Sequence, residues 1–162
     1  LLILATLTLL SFGAVSDDFN WDSAAKGNKV PEPKDQGDCA GAGWAFATTT
    51  AIEANYKIKY NREITQSERE LLNCIDDSCC PGKVSLAQAF NYVKAKNGLA
   101  SDLSLAYDSG TSTCPRIKRR QGNIKSFNLI KAAFKNPTHD QNNTALITAI
   151  QKGPIAAGII KP

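Results

Sequence analysis

The chain has no methionine, a single histidine and no apolar run long enough to cross a bilayer. Without Met anywhere, the start of the chain is expected to lie upstream of Leu1, so the sequence reads as a fragment at its N-terminus. The one histidine, His139, sits in the polar stretch Asn136-Pro137-Thr138-His139-Asp140 and is expected to be a solvated surface residue. The apolar stretch Leu1 to Ser16 carries no charge but falls short of the roughly 20 residues that a membrane helix needs, and it meets Asp17-Asp18 directly. It ends in Ala14-Val15-Ser16, with small residues at the positions that a signal peptidase inspects. Residues 1–16 are therefore expected to be a secretory signal, and 17–162 a single domain. Internal repeats and low-complexity tracts are lacking too.

The 146 residues after the signal are enough for one domain with a real core. The net charge of +4 supports solubility and gives no argument for nucleic acid. No metal site or cofactor is expected, nor any membrane association once the signal is removed. A secretory route permits disulfides, and the five cysteines (Cys39, Cys74, Cys79, Cys80 and Cys114) leave one over whatever the pairing.

The polar, turn-rich segment 18–36, with Gly27, Pro31 and Pro33, is expected to run extended over a surface. Residues 44–60 have Trp44, Ala47, Ala51, Ala54 and Ile58 at helical spacing. The β-branched run Thr48-Thr49-Thr50 is poor in helix propensity, so burial has to hold that turn. Thr65-Gln66-Ser67-Glu68 has capping-box spacing ahead of a short helix that ends near Cys74. A third helix starts at Ser85, with Gln88 three residues on, and stops at Gly98. Residues 99–125 lose periodicity and read as loop. A fourth helix over 144–152 closes at Gly153-Pro154, and 155–160 reads as an apolar strand.

Several landmarks stand in a fixed order: Phe19-Asn20-Trp21-Asp22, Val30-Pro31-Glu32-Pro33-Lys34-Asp35-Gln36-Gly37, Trp44-Ala45-Phe46, Ser67-Glu68-Arg69-Glu70-Leu71-Leu72-Asn73-Cys74, and Ala106-Tyr107-Asp108 ahead of Cys114. Each is weak alone. In this order and spacing the chain resembles the papain family of cysteine peptidases over roughly residues 19–160, close to the first two thirds of the family's mature domain. The resemblance implies an α+β fold of two lobes, a helical one and a barrel-like sheet with the cleft between them. This chain would hold mostly the helical lobe and the start of the sheet lobe. It also implies disulfides Cys39 to Cys80 and Cys74 to Cys114, with Cys79 left over as an inert or mispaired thiol.

The resemblance also exposes a gap. The family's nucleophile is a cysteine just before the tryptophan that Trp44 matches, and Gly43 stands there. Peptide-bond attack needs a thiolate, which a helix N-terminus and a neighbouring imidazolium favour, and Gly43 has no group to ionise. Cys39 matches the structural half-cystine of the loop and is not expected to substitute. Gln36 resembles the oxyanion-hole donor, but the loop from Gln36 to Trp44 is one residue longer than the family's pattern, which is expected to disturb its aim. The glycine pair lining the cleft beside Trp44 is matched by Gly82-Lys83, which puts a charged stem where a peptide backbone would approach. The family's His and Asn fall beyond Pro162, and the signal runs almost directly into the mature-like start without a pro-segment.

The function expected from these features is that of a secreted or lumenal papain-like homologue, a lysosome- or vacuole-like compartment included. It would be catalytically inactive and bind peptides, protease inhibitors or protease partners. The alternatives are an active cysteine endopeptidase whose active-site loop is misread, and a truncated gene remnant. Arg116-Ile117-Lys118-Arg119 has the pattern of a dibasic processing or polyanion-binding site, but a solvated loop is expected. Asn142-Asn143-Thr144 fits an N-glycosylation sequon.

Overall fold

The computed structural model describes residues 20–23, 27–75, 84–110, 113–130 and 141–158, with side chains at 141–144 left aside. The signal candidate, Cys79, Cys80, Gly82, Lys83 and His139 lie outside these residues. Among the described residues four helices follow in order: α1 (Gly43–Tyr60), α2 (Glu68–Ile75), α3 (Leu86–Lys96) and α4 (Gln141–Lys152).

Helix α1 is the centre of the packing, and α1, α2 and α3 all contact one another. Small side chains let the neighbours approach: Ala45, Ala51 and Ala54 are buried along α1 beside Ile52. The core adds Cys39, Ala42, Leu71, Leu72, Val93 and Leu99. The threonine run is held as expected. Thr48 and Thr49 are fully buried, with Thr48 Oγ1 donating to Trp44 O and Thr49 Oγ1 to Glu68 Oε1 at 2.7 Å, so neither hydroxyl is left unsatisfied. Asn61 ends α1 in the left-handed conformation, returning its amide to Lys57 O.

The start of α2 differs from expectation. The cap is Ser67, whose Oγ accepts from Glu70 N, and not Thr65. Gln66 forms an antiparallel bridge with Ser101, and Thr65 O accepts from Asp102 N, so the chain at 65–66 is committed to extended pairing. The Glu68 carboxylate meanwhile turns away to Lys34 and Thr49. Helix α3 has the capping box read from Ser85 and Gln88, and a C-cap at Asn97 just before Gly98.

Helix α4 begins three residues earlier than its apolar pattern, at Gln141, because a first turn needs no buried face. The strand expected at 155–160 is not formed over its described part, 155–158. A strand needs a ladder partner, whereas the Pro154 carbonyl accepts from the Asn55 side chain. Among the described residues the only β pairing is two isolated bridges, Gln66 with Ser101 and Leu99 with Gln121. The described residues of 99–125 otherwise run as the expected loop.

The described part of the segment ahead of α1 turns at 21–23 and 27, where extended chain was expected, with Lys29 N returning to Trp21 O, and it does more than lie on a surface. Trp21 Nε1 donates to Ile150 O at 2.6 Å, tying α4 to the start of the domain, and Lys34 reaches into a buried acidic pair. The disulfide Cys74–Cys114 is formed. It closes a separation of 40 residues, worth about 4 kcal/mol on loop-entropy grounds.

Candidate active site

The loop before α1 is built from turns. Gly37 takes φ +56° and its amide donates to Asp35 Oδ1 at 2.8 Å; Cys39 N then donates to Gln36 O, and Ala42 N to Cys39 O. Glycine suits that left-handed position because it carries no Cβ. Cys39 is disulfide-bonded and 1% exposed, so it offers no thiol to the site. Its expected partner, Cys80, lies outside the described residues.

Helix α1 opens without a side-chain cap, since Ala42 occupies the N-cap. Gly43, its first residue, is exposed, and Trp44 beside it is half-buried. A Cβ built on Gly43 would have one atom within 4 Å, Gln36 Oε1 at 3.9 Å. The Gln36 side chain therefore faces Gly43 with its Oε1. Its backbone is fixed from the other side, where Tyr107 Oη donates to Gln36 O at 2.6 Å and the Tyr107 ring packs edge-on against Phe46. In the sequence Tyr107 stands only as a landmark in Ala106-Tyr107-Asp108, and nothing local to it signals the bond to Gln36, 71 residues away.

Chemically, the uncapped α1 terminus and the Gln36 amide can offer hydrogen bonds to a carbonyl or an anion. Position 43 itself carries no nucleophile. Asn142 lies apart in chain and element, in the first turn of α4. Gly82 and Lys83 cannot be placed beside Trp44 from the described residues. Among the described residues, no group of His, Cys, Asp and Glu is arranged to hold a metal ion.

Two buried acidic clusters behind the site went unread in the sequence. In the first, Glu68 Oε1 accepts from Lys34 Nζ at 2.8 Å and from Thr49, while Glu53 Oε1 accepts from the Gln66 amide. Burial pushes the Glu53 carboxyl up from its ordinary range, against the pull of the Gln66 amide and the Lys34 charge. Burial alone would lower Lys34, but the hydrogen bond to Glu68 and the charges of Glu68 and Glu53 outweigh it, so its ammonium is held above the usual value. In the second, Glu70 accepts from Ala100 N, Tyr92 Oη and the Arg120 guanidinium. Burial, then the charge of Glu70, push the Tyr92 hydroxyl up to about 12.

Comparison with known proteins bears on what this arrangement is. Residues 15–161 match the family described as papain family cysteine protease. The chain is 30% identical over 150 residues to vignain from Vigna mungo, covering 91% of this chain and 38% of vignain. It is similar in fold to the digestive procathepsin L2 proteinase of Tenebrio molitor larval midgut, with a TM-score of 0.54 at 28% identity over 65% of this chain and 34% of that one. It is likewise similar to recombinant stem bromelain precursor, with a TM-score of 0.52 at 30% identity over 60% of this chain and 30% of that one. The chain thus spans well under half the length of the relatives it matches. The described helices are those of the helical lobe of the papain-like fold.

Proposed function

The chain belongs to the papain family of cysteine proteases, and on that premise we propose that it is a secreted or lumenal member that holds peptide or protein ligands, protease inhibitors among them, without hydrolysing them. The observation that carries this reading is Gly43 at the first position of α1. Attack on a peptide carbonyl needs a thiolate at that helix terminus, and glycine offers none. The neighbouring Cys39 is disulfide-bonded and does not replace it. The retained parts suit holding a chain rather than cutting it: the α1 terminus is uncapped and Gln36 faces it. In this reading Gln36 keeps the oxyanion-hole position as a hydrogen-bond donor to a ligand carbonyl. The family resemblance assigns the cleft to Trp44 and to the positions of Gly82 and Lys83, and a lysine at such a position would favour ligands that bring a negative charge near it.

No helix among the described residues is long and apolar enough to cross a membrane. The secretory leader read in residues 1–16 supports a secreted or lumenal site, and Asn142 is then a candidate for glycosylation.

The test uses the purified protein under reducing conditions, with a fluorogenic peptide substrate, an epoxysuccinyl thiol-directed inhibitor, and a peptide aldehyde titrated against tryptophan fluorescence. No turnover together with saturable binding of the aldehyde is expected. Hydrolysis that the epoxysuccinyl compound abolishes would overturn the inactive reading, and absence of any peptide binding would overturn the binding one.

A further inference from the structure

From Ser109 to His139 the chain contains seven Lys and Arg residues and not one Asp or Glu. Because the whole chain carries +4, everything outside this stretch carries a net −3. The positive charge is gathered in one place, although the total is mild.

Within the stretch, residues 113–120 form neither helix nor strand, with Arg116, Lys118 and Arg119 exposed. Their ends are fixed. Cys114 is tied to Cys74 of α2 by the disulfide. Six residues on, Arg120 donates through Nε and Nη2 to the fully buried Glu70, and Gln121 exchanges two backbone hydrogen bonds with Leu99 at 2.7 and 2.9 Å. The bridge is permitted by Gly98, at φ +112°, where any Cβ would collide with the Gln121 carbonyl. Among the described residues, no ion pair involves Arg116, Lys118 or Arg119. Three cations with no acidic partner among the described residues are therefore held on a short span between a covalent anchor and a buried ionic one. Fixing that span in advance lowers the ordering entropy that a ligand would otherwise have to overcome.

Beside the span lies an open cavity of about 310 Å³ lined by Ser101, Ser104, Arg119, Arg120 and Gln121. Arg120 uses Nε and Nη2 on Glu70, which leaves its Nη1 to face other acceptors. Ser101 and Ser104 bond to each other and keep the floor of the cavity polar.

We infer that this pinned cationic span, with its adjoining cavity, is a binding surface for a linear acidic polysaccharide. Three exposed cations within four residues suit a chain bearing sulfate or uronate groups at short intervals, and the cavity suits one such group pointing inward. Nucleic acid fits less well. Single-strand binders place aromatic rings for bases to stack on, whereas between Pro115 and Gln121 the one uncharged side chain is Ile117, and Phe127 is stacked on Phe90. This inference stands independently of whether the cleft cuts peptides.

The experiment measures binding of the full chain to immobilised heparin and to polygalacturonate, the two supplying sulfate and carboxylate, across a salt series. One variant, R116Q/K118Q/R119Q, removes the exposed cations of the span. A control, K59Q/K94Q/K96Q, removes the same charge from exposed positions on α1 and α3. All six side chains are exposed, so folding is expected to survive and is checked by thermal unfolding. Near physiological salt the span variant is expected to lose roughly tenfold or more in affinity, and its dependence of log K on log salt to shallow by about 2 to 3. The control is expected to lose less than about threefold. Binding to either polymer with this pattern supports the inference, and which polymer binds names the acidic group. Equal losses in both variants, binding to neither polymer, or tighter binding to single-stranded DNA than to both would each overturn it.

Discussion

Replacing Lys34 by methionine tests how the helical lobe is held around its buried carboxylates. Lys34 Nζ lies 2.8 Å from Glu68 Oε1 and 3.6 Å from Glu53 Oε1, and it donates to Gln66 O at 3.3 Å. Glu53 and Glu68 are 3% and 0% exposed, and each has a second oxygen, Oε2, with no hydrogen-bond partner. Removing the lysine strands two like charges in the interior. Removing one partner of a buried pair costs about 3–5 kcal/mol. The Lys34 side chain keeps 27% exposure, so water offsets part of that loss and the lower end, about 3 kcal/mol, is expected. At a urea slope of about 2 kcal/mol/M the midpoint falls by about 1.5 M.

The loss also depends on pH. Because burial raises the folded-state carboxyl of Glu53, its contribution to stability is full below its ordinary value of 4.5 and is lost as pH rises through the raised one. Without Lys34, that folded value rises further and the Glu68 carboxylate loses its cation. The deficit of the variant therefore grows from about pH 5 to about pH 8. Urea titrations followed by tryptophan fluorescence at both pH values check this, with K34M/E68Q as a companion that removes one of the stranded charges and recovers part of the loss. A change below about 0.5 kcal/mol, or an equal deficit at both pH values, would refute the reasoning.

Gly98→Ala is expected to cost about 2–3 kcal/mol, because φ +112° is strained for alanine and its Cβ would displace the Gln121 carbonyl. Thermal unfolding checks it, and a midpoint unchanged to within about 2 °C would contradict the close approach. Gly43→Cys, made in a Cys79→Ser background, is expected to fold within about 0.5 kcal/mol of the parent, since the nearest atom to the new Cβ is 3.9 Å away. The α1 terminus should lower its thiol pKa below the ordinary value of about 8.5, read from the pH dependence of alkylation by iodoacetamide. A midpoint at or above about 8.5 would count against an electropositive site.

The helices were legible because their signals are local. Ser85 and Gln88 lie three residues apart and cap α3 as read, and the apolar spacing of 44–60 marks α1. What could not be read is what depends on partners distant in the chain. Thr65 lost the cap of α2 because Asp102 and Gln121, some 40 and 56 residues away, hold that segment extended. The apolar run after Pro154 has the composition of a strand but no ladder partner within its described part. The acidic clusters were invisible for the same reason: Glu53, Glu68 and Glu70 look like ordinary helix-surface carboxylates until Lys34 and Arg120 are brought to them. At the site, order along the chain located Gly43 and Gln36, whereas the support of Gln36 by Tyr107 spans 71 residues and needed the fold.

The residue at position 43 and the stability of the lobe are physically separate. Gly43 is exposed, and a Cβ there would meet Gln36 Oε1 only at 3.9 Å, so a Cβ at this position adds little packing energy to folding. The framework that aims α1 lies elsewhere: Thr49 and Glu53 on α1 are joined to Glu68 on α2 and to Lys34, and Tyr107 and Phe46 brace the Gln36 loop. Each of those contacts is buried or half-buried and costly to lose, while exchange between cysteine and glycine at 43 is close to neutral for the fold. A chain with the papain-like helical lobe can therefore keep the shape of the site under the constraint of folding alone, with no constraint of that kind acting on the nucleophile.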